Sequence, residues 1–101
     1  MNFQKFQVFL SLCETLSYTE TAEQLYTTQG SISKQIIALE KELGVTLFNR
    51  KHRQISLTEE GEIVRGYVQT MMETFLEMQE ELRALSEQEK HKLIIYGIPS
   101  M

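Results

Sequence analysis

The residues best able to make directional contacts lie close together in the run TTQGSISKQI, Thr27 to Ile36, which sets hydroxyls, amides and one lysine ahead of the apolar stretch IALEKELG. Gln29, Ser31, Ser33 and Lys34 supply donors and acceptors suited to base edges and phosphate oxygens, and Gly30 lets a backbone come close. A second concentration, RKHR, places Arg50, Lys51, His52 and Arg53 side by side. This is the chemistry of recognition. No nucleophile stands beside a base, no glycine-rich phosphate loop is present and no carboxylate pair falls in a plausible pocket, so an enzyme is not expected. His52 and His91 are far apart and lack Cys or carboxylate partners at ligand spacing, so neither a metal site nor a cofactor is expected.

Length and composition limit what can position these groups. The chain has 101 residues, 42% hydrophobic and 24% charged, with five Gly and one Pro, which suits one small globular unit and not a disordered tail. A fold this small removes only a modest surface from water, so oligomerisation is a natural supplement. No twenty-residue apolar run exists, and MNFQKFQVFL lacks the charged region and cleavage site of a secretory signal. A soluble cytoplasmic protein with no membrane partner is expected. Cys13, the only cysteine, cannot form an internal disulfide and reads as a buried core residue.

The net charge of -4 argues at first against a nucleic-acid partner, but it is unevenly spread. Residues 1–58 carry six Lys or Arg against five Glu, whereas residues 59–92 carry four against nine. The acidity belongs mainly to the second half, and the local field around RKHR is positive.

Four helices follow from periodicity and caps. Phe3, Phe6, Phe9, Leu10 and Cys13, broadened by Val8 and Leu12, mark a helix from Asn2 to about Leu16. Ser17 and Glu20 have capping-box spacing, with Thr19 a second candidate cap, and open a short helix whose Ala22 and Leu25 face inward. Thr28 caps a third helix that Gly44 ends. Its Ile32, Ile36, Leu39 and Leu43 define a buried face, which turns Gly30, Lys34 and Lys41 outward and leaves Ser31 and Ser33 on the flanks. Two helices joined by so brief a connection resemble a helix-turn-helix, whose second helix reads bases with its first residues. Ser and Thr also favour any helix start, so the context must add weight. TLFNR and QISLT, strand-like on either side of KHR, add it by suggesting a hairpin with a basic tip, a wing able to grip phosphate or enter a minor groove.

The stretch LSYTETAEQLYTTQGSISKQIIALEKELGVTLFNRKHRQISLTEEG, Leu16 to Gly61, resembles the winged helix-turn-helix of LysR-type transcriptional regulators. The resemblance is carried by Ala22, by Ser33 to Ile36, by LE-x-ELG-V-x-LF-x-R from Leu39 to Arg50 and by LT-x-x-G from Leu57 to Gly61. It implies contacts to double-stranded DNA at Gln29, Gly30, Ser31, Ser33 and Lys34 on the third helix and at Arg50, Lys51, His52 and Arg53 in the wing. Thr19 and Thr28 would cap helices whose amino ends face phosphate. Gly30 and Ser31 stand where the family commonly has Pro and Ala, and Lys34 where it has Arg, so base preference should differ, since Lys lacks the planar fork of Arg. Ile37 stands where a charged or polar residue is usual and reads as an exposed residue.

After Thr58 the apolar residues Val64, Val68, Met71, Phe75, Met78, Leu82 and Leu85 alternate four- and three-residue steps, a heptad seam. From Thr58 to Ser86 such a helix spans about 43 Å, packing on its own domain at the start and on another chain further on. The family resemblance implies a homodimer, paired antiparallel through these helices, that sets two reading helices on an imperfect palindrome, with a tetramer open to the full-length regulator. The tail HKLIIYGIPSM is strand-like and resembles the first strand of the family's ligand-sensing domain. It suggests a fragment of a longer regulator, with a small-molecule inducer acting only through the missing effector domain. The expected fold class is therefore mainly α: a winged helix-turn-helix of three helices and a short β-hairpin over residues 1–58, a linker and dimerisation helix over 59–89 and the start of an effector domain over 90–101. A winged-helix scaffold that pairs proteins without touching DNA is the competing reading, supported by the weak positive charge of the first half.

Overall fold

In the computed structural model of the chain, residues 3–51 and 54–96 are described, with side chains described through Gln88. They form α1 (Phe3–Thr15), α2 (Tyr18–Gln24), α3 (Gln29–Leu43), β1 (Phe48–Asn49), β2 (Ser56–Leu57) and α4 (Glu59–Tyr96). Asn2, His52, Arg53 and residues 97–101 lie outside the described residues. Two compact units result, Met1–Gln69 and Thr70–Met101.

The first unit is built on three mutually packed helices. On α1 the buried side chains are Val8, Phe9 and Leu12, while Phe3 is exposed and Phe6, Leu10 and Cys13 are half-buried. Cys13 is therefore less enclosed than a core position. Burial still pushes its thiol from an ordinary 9.0 up to about 12; Arg65 pulls it down, and Glu62 and Glu14 push it up. Each unit of pKa is a tenfold change in thiolate, so iodoacetamide at pH 8 should label native Cys13 about 10²- to 10³-fold more slowly than the urea-unfolded chain. Equal rates would refute the enclosed thiol. The unfolded chain loses this proton first, so the same group lowers stability as pH rises from 9.0 toward about 12.

The α1–α2 corner is held by hydroxyls. Leu16 takes a left-handed φ of 52°, unfavourable for a side chain by about 1–2 kcal/mol. Thr15 Oγ1 compensates by donating to the Ser17 carbonyl and accepting the Ser17 N–H, both at 3.0 Å, and lies 2.7 Å from the buried Thr21 hydroxyl. Ser17, not Thr19, caps α2: its hydroxyl accepts the Glu20 N–H at 3.1 Å. Thr19 sits within the helix, one residue past Tyr18. Leu25 is exposed, contrary to expectation, because the helix closes there and its inward face ends with Ala22. Thr27 N–H then reaches back to the Ala22 carbonyl at 2.9 Å across Tyr26, which is left-handed (φ 55°) and 96% exposed.

The ends of α3 follow its local chemistry. Thr28 accepts the Ser31 N–H at 3.1 Å, and Gly44 turns left-handed with its N–H on the Glu40 carbonyl. Ile32, Ile36 and Leu39 are buried, but Leu43 is exposed, since the burial on α3 stops at Leu39, a turn before the helix does.

The hairpin is shorter than its composition suggests. β1 and β2 pair antiparallel through Phe48 with Leu57 and Asn49 with Ser56. So small a ladder is marginal alone, and its stability comes from Phe48, buried edge-on against Phe9 at 5.6 Å between ring centroids. Thr58 ties the hairpin to α4: its hydroxyl donates to the Thr46 carbonyl and accepts the Gly61 N–H, and its own N–H meets the Leu47 carbonyl. Glu59, Glu60 and Glu62 complement the positive end of α4.

Within the first unit Val68 is 1% exposed and Val64 half-buried, so the opening turns of α4 complete this core and carry the unit past Thr58 to Gln69. In the second unit Arg83 pairs with Glu80 and with Glu87 one turn on, an exposed network of little weight for stability. α4 continues to Tyr96, so residues 91–96, strand-like by composition, are helical. A lone strand leaves its N–H and C=O groups unpaired, whereas a continuing helix pairs them within itself. Among the described residues no helix is long and apolar enough to cross a membrane.

Candidate nucleic-acid interface

The amino end of α3 gathers the polar residues singled out by sequence. Gln29, Gly30 and Lys34 are exposed, and Ser33 is half-buried beside them. Gln29 Nε2 donates to Thr19 Oγ1 at 2.8 Å, so Thr19 contributes by anchoring the amide of Gln29 and not by capping α2. The Ser31 hydroxyl accepts Gln35 Nε2 at 3.2 Å and is half-buried, which commits it to its own helix. Ile37 is 50% exposed, as its place on the helix predicts. A Cβ on Gly30 would meet nothing within 4 Å, and its φ is not left-handed. Packing within the chain therefore makes no demand for glycine there.

Two residues missed by sequence reasoning organise the surroundings. Tyr18, the first residue of α2, lines a shallow open cleft of about 250 Å³ with Gln29, Gly30 and Ser33. Its hydroxyl accepts hydrogen bonds from Arg50 Nε at 2.9 Å and Nη2 at 2.7 Å, and the guanidinium lies 5.8 Å from the ring centroid. The second is Glu40. One carboxylate oxygen accepts the Leu47 and Phe48 N–H groups at 2.8 and 3.4 Å, and the other is 4.0 Å from Arg50 Nη2. Arg50 is thus a strut between the end of β1, α2 and α3 as well as an exposed cation. No signal in the sequence joins Tyr18 to Arg50 across 32 residues; only the fold brings them together. Lys51 is exposed in the wing, where Gln54 N–H closes on its carbonyl at 3.0 Å; His52 and Arg53 fall outside the described residues.

The seam residues divide. Val68 is internal and has no surface to offer a partner, because the first unit has already buried it. Phase along α4 made it a seam position; proximity to the core took it away. Met71, Met78, Leu82 and Leu85 are about half exposed and Phe75 half-buried. Among the described residues no group of three or more His, Cys, Asp or Glu could hold a metal ion.

The family model for bacterial regulatory helix-turn-helix proteins of the lysR family matches residues 3–62, from the start of α1 through the first turn of α4. The chain belongs to the LysR family. Its first unit carries that family's helix-turn-helix, with the hairpin as the wing. The chain is similar to the HTH-type transcriptional activator IlvY of Haemophilus influenzae, 36% identical over 88 residues, which cover 87% of this chain and 30% of that protein. It thus spans about a third of the length of such relatives, which are transcriptional regulators. Among solved structures it is similar to the CbnR DNA-binding domain in complex with DNA, with a TM-score of 0.80 and 30% identity, covering 85% of this chain and 99% of that one. The BenM DNA-binding domain on catB site 1 DNA gives a TM-score of 0.81 at 28% identity, covering 85% and 97%. The similarity to these winged-helix domains agrees with the mainly α fold expected from sequence.

Proposed function

We propose that this LysR-family chain is the sequence-specific DNA-binding part of a bacterial transcriptional regulator, placed on an operator as a homodimer, with α3 in the major groove and the wing on the flanking minor groove or backbone. The observation that carries this reading is the outward face at the start of α3. Gln29, Gly30 and Lys34 stand exposed around a cleft, on a fold similar to domains solved on DNA. A glycine that the packing does not require, at the point where a helix would meet base edges, supports close approach by another molecule.

Roles follow from donors and acceptors. Gln29, its amide steadied by Thr19, keeps its carbonyl oxygen and a second N–H for the N6 and N7 of adenine. Ser33 offers a shorter contact to a base, Lys34 a point charge for phosphate or a guanine edge, and Thr28 a hydroxyl beside the backbone. Arg50, Lys51, His52 and Arg53 supply the wing. Met71, Phe75, Met78, Leu82 and Leu85 form the pairing seam, and Val64 borders it. The chain performs no chemistry of its own and works in the cytoplasm; a small-molecule inducer and a tetramer belong to the full-length regulator.

Selection of bound duplexes from a random library, at near-physiological salt, tests this reading. An enriched site of roughly two-fold symmetry is expected, and a folded protein that enriches none would overturn it. On the selected site Lys34→Ala should weaken binding and reduce the salt slope by about one, the signature of a lost phosphate contact.

A further inference from the structure

We propose that the phenolic hydroxyl of Tyr18 donates a hydrogen bond to a phosphate oxygen of the bound duplex, oriented for that purpose by Arg50. The inference rests on the DNA-binding reading and adds a contact that the polar run of α3 and the basic wing do not contain. Arginine donates only, so in both of its bonds to Tyr18, at 2.9 and 2.7 Å, the phenol oxygen is the acceptor. Its one hydrogen must therefore point away from the guanidinium. Among the described residues the phenol oxygen bonds to Arg50 alone, in both cases as acceptor. The half-buried ring lines the open cleft at the start of α3, with Gln29, Gly30 and Ser33 on the other sides.

The chemistry of this corner favours an anion. Two hydrogen bonds from a cation draw electron density from the phenol oxygen and strengthen the O–H as a donor. The guanidinium, on a side chain 42% exposed, adds positive charge on the same side. Glu40 tempers that charge only in part: its nearer oxygen is 4.0 Å from Nη2, and its other oxygen is occupied by the Leu47 and Phe48 N–H groups. A donor hydrogen beside a cation matches a phosphate oxygen better than a base edge, which carries no formal charge. Tyr18 would join α3 and the wing in one phosphate clamp and fix the depth at which α3 enters the groove.

Tyr18→Phe removes the one oxygen and leaves the ring beneath Arg50. On the selected duplex it should weaken binding roughly tenfold, the scale of a hydrogen bond to a charged group, with the salt slope unchanged because no charge is lost. A scan of single methylphosphonates along the duplex supplies the readout that a merely structural role would not move. At one phosphate in each half-site the neutral linkage should cost the wild type about tenfold and Tyr18→Phe almost nothing further. Equal affinity of the two proteins would overturn the proposal, and so would a Tyr18→Phe loss that adds to every methylphosphonate. A wild type that selects no duplex would remove the DNA-binding reading and this contact with it, whereas wild-type selection with no Tyr18 coupling would remove the contact alone.

Discussion

Leu82→Glu is expected to leave each chain folded, to convert the proposed dimer to a monomer at micromolar concentration, and to lower affinity for a two-half-site operator roughly 10²- to 10⁴-fold. Leu82 is about half exposed in the single chain, so the fold does not depend on it. Its place in the series Met71, Phe75, Met78, Leu82 and Leu85 puts it in the proposed seam, where a carboxylate would be buried against apolar side chains without a partner. Symmetry doubles the penalty, since the same substitution enters from both chains. Affinity for an isolated half-site should be unchanged, because avidity alone is lost. Light scattering after size exclusion reads the oligomer, and a dimer that persists with Glu at this position would rule out the seam. Val68→Glu is not an equivalent probe: Val68 is 1% exposed, and a charge there would unfold the first unit.

The second large effect is on folding. A Cβ at Gly61 would stand 2.3 Å from the Leu47 carbonyl oxygen and 2.7 Å from Leu57 Cδ2. The first of these atoms is backbone and cannot rotate away. It also accepts the Thr58 N–H, in the junction that fixes α4 to the hairpin. Gly61→Ala must therefore push α4 off the strand or break that bond, and should destabilise the protein by about 3 kcal/mol, at the upper end of overpacking penalties. Gly66, also within α4, has open space where a Cβ would go. Gly66→Ala should accordingly stabilise by about 0.5–1 kcal/mol through helix propensity alone. Urea melts of the two variants at one protein concentration make the comparison, and shifts of the same sign would refute the packing account.

The caps at Ser17, Thr28 and Thr58, the left-handed Gly44, the buried stripe Ile32, Ile36 and Leu39 and the hairpin around the basic run each follow from residues within a few positions of one another. Helix periodicity, hydroxyl capping and glycine at a positive φ are local energetics, so a sequence displays them directly. Local cues misled where the surroundings changed the answer. Val68 has the phase of a seam residue and the burial of a core residue; Leu25 and Leu43 have inward phase at helix ends where burial is incomplete, at 38% and 36% exposed.

The sequence by itself determined the first three helices and the start of the fourth, the caps at Thr28 and Thr58, the polar face at the start of α3 and the likeness to LysR-type regulators, whereas the helical course of residues 91–96 and the choice of Ser17 over Thr19 came from the structure. Tertiary structure alone decided that Arg50 rests on Tyr18, that Glu40 receives the backbone of Leu47 and Phe48, that Thr19 serves Gln29, and that Gly61 must be bare. The division has one physical origin. Capping and amphipathicity are interactions between near neighbours on a known helical geometry, whereas a phenol meeting a guanidinium 32 residues away depends on how four elements pack, which no single stretch of the chain encodes.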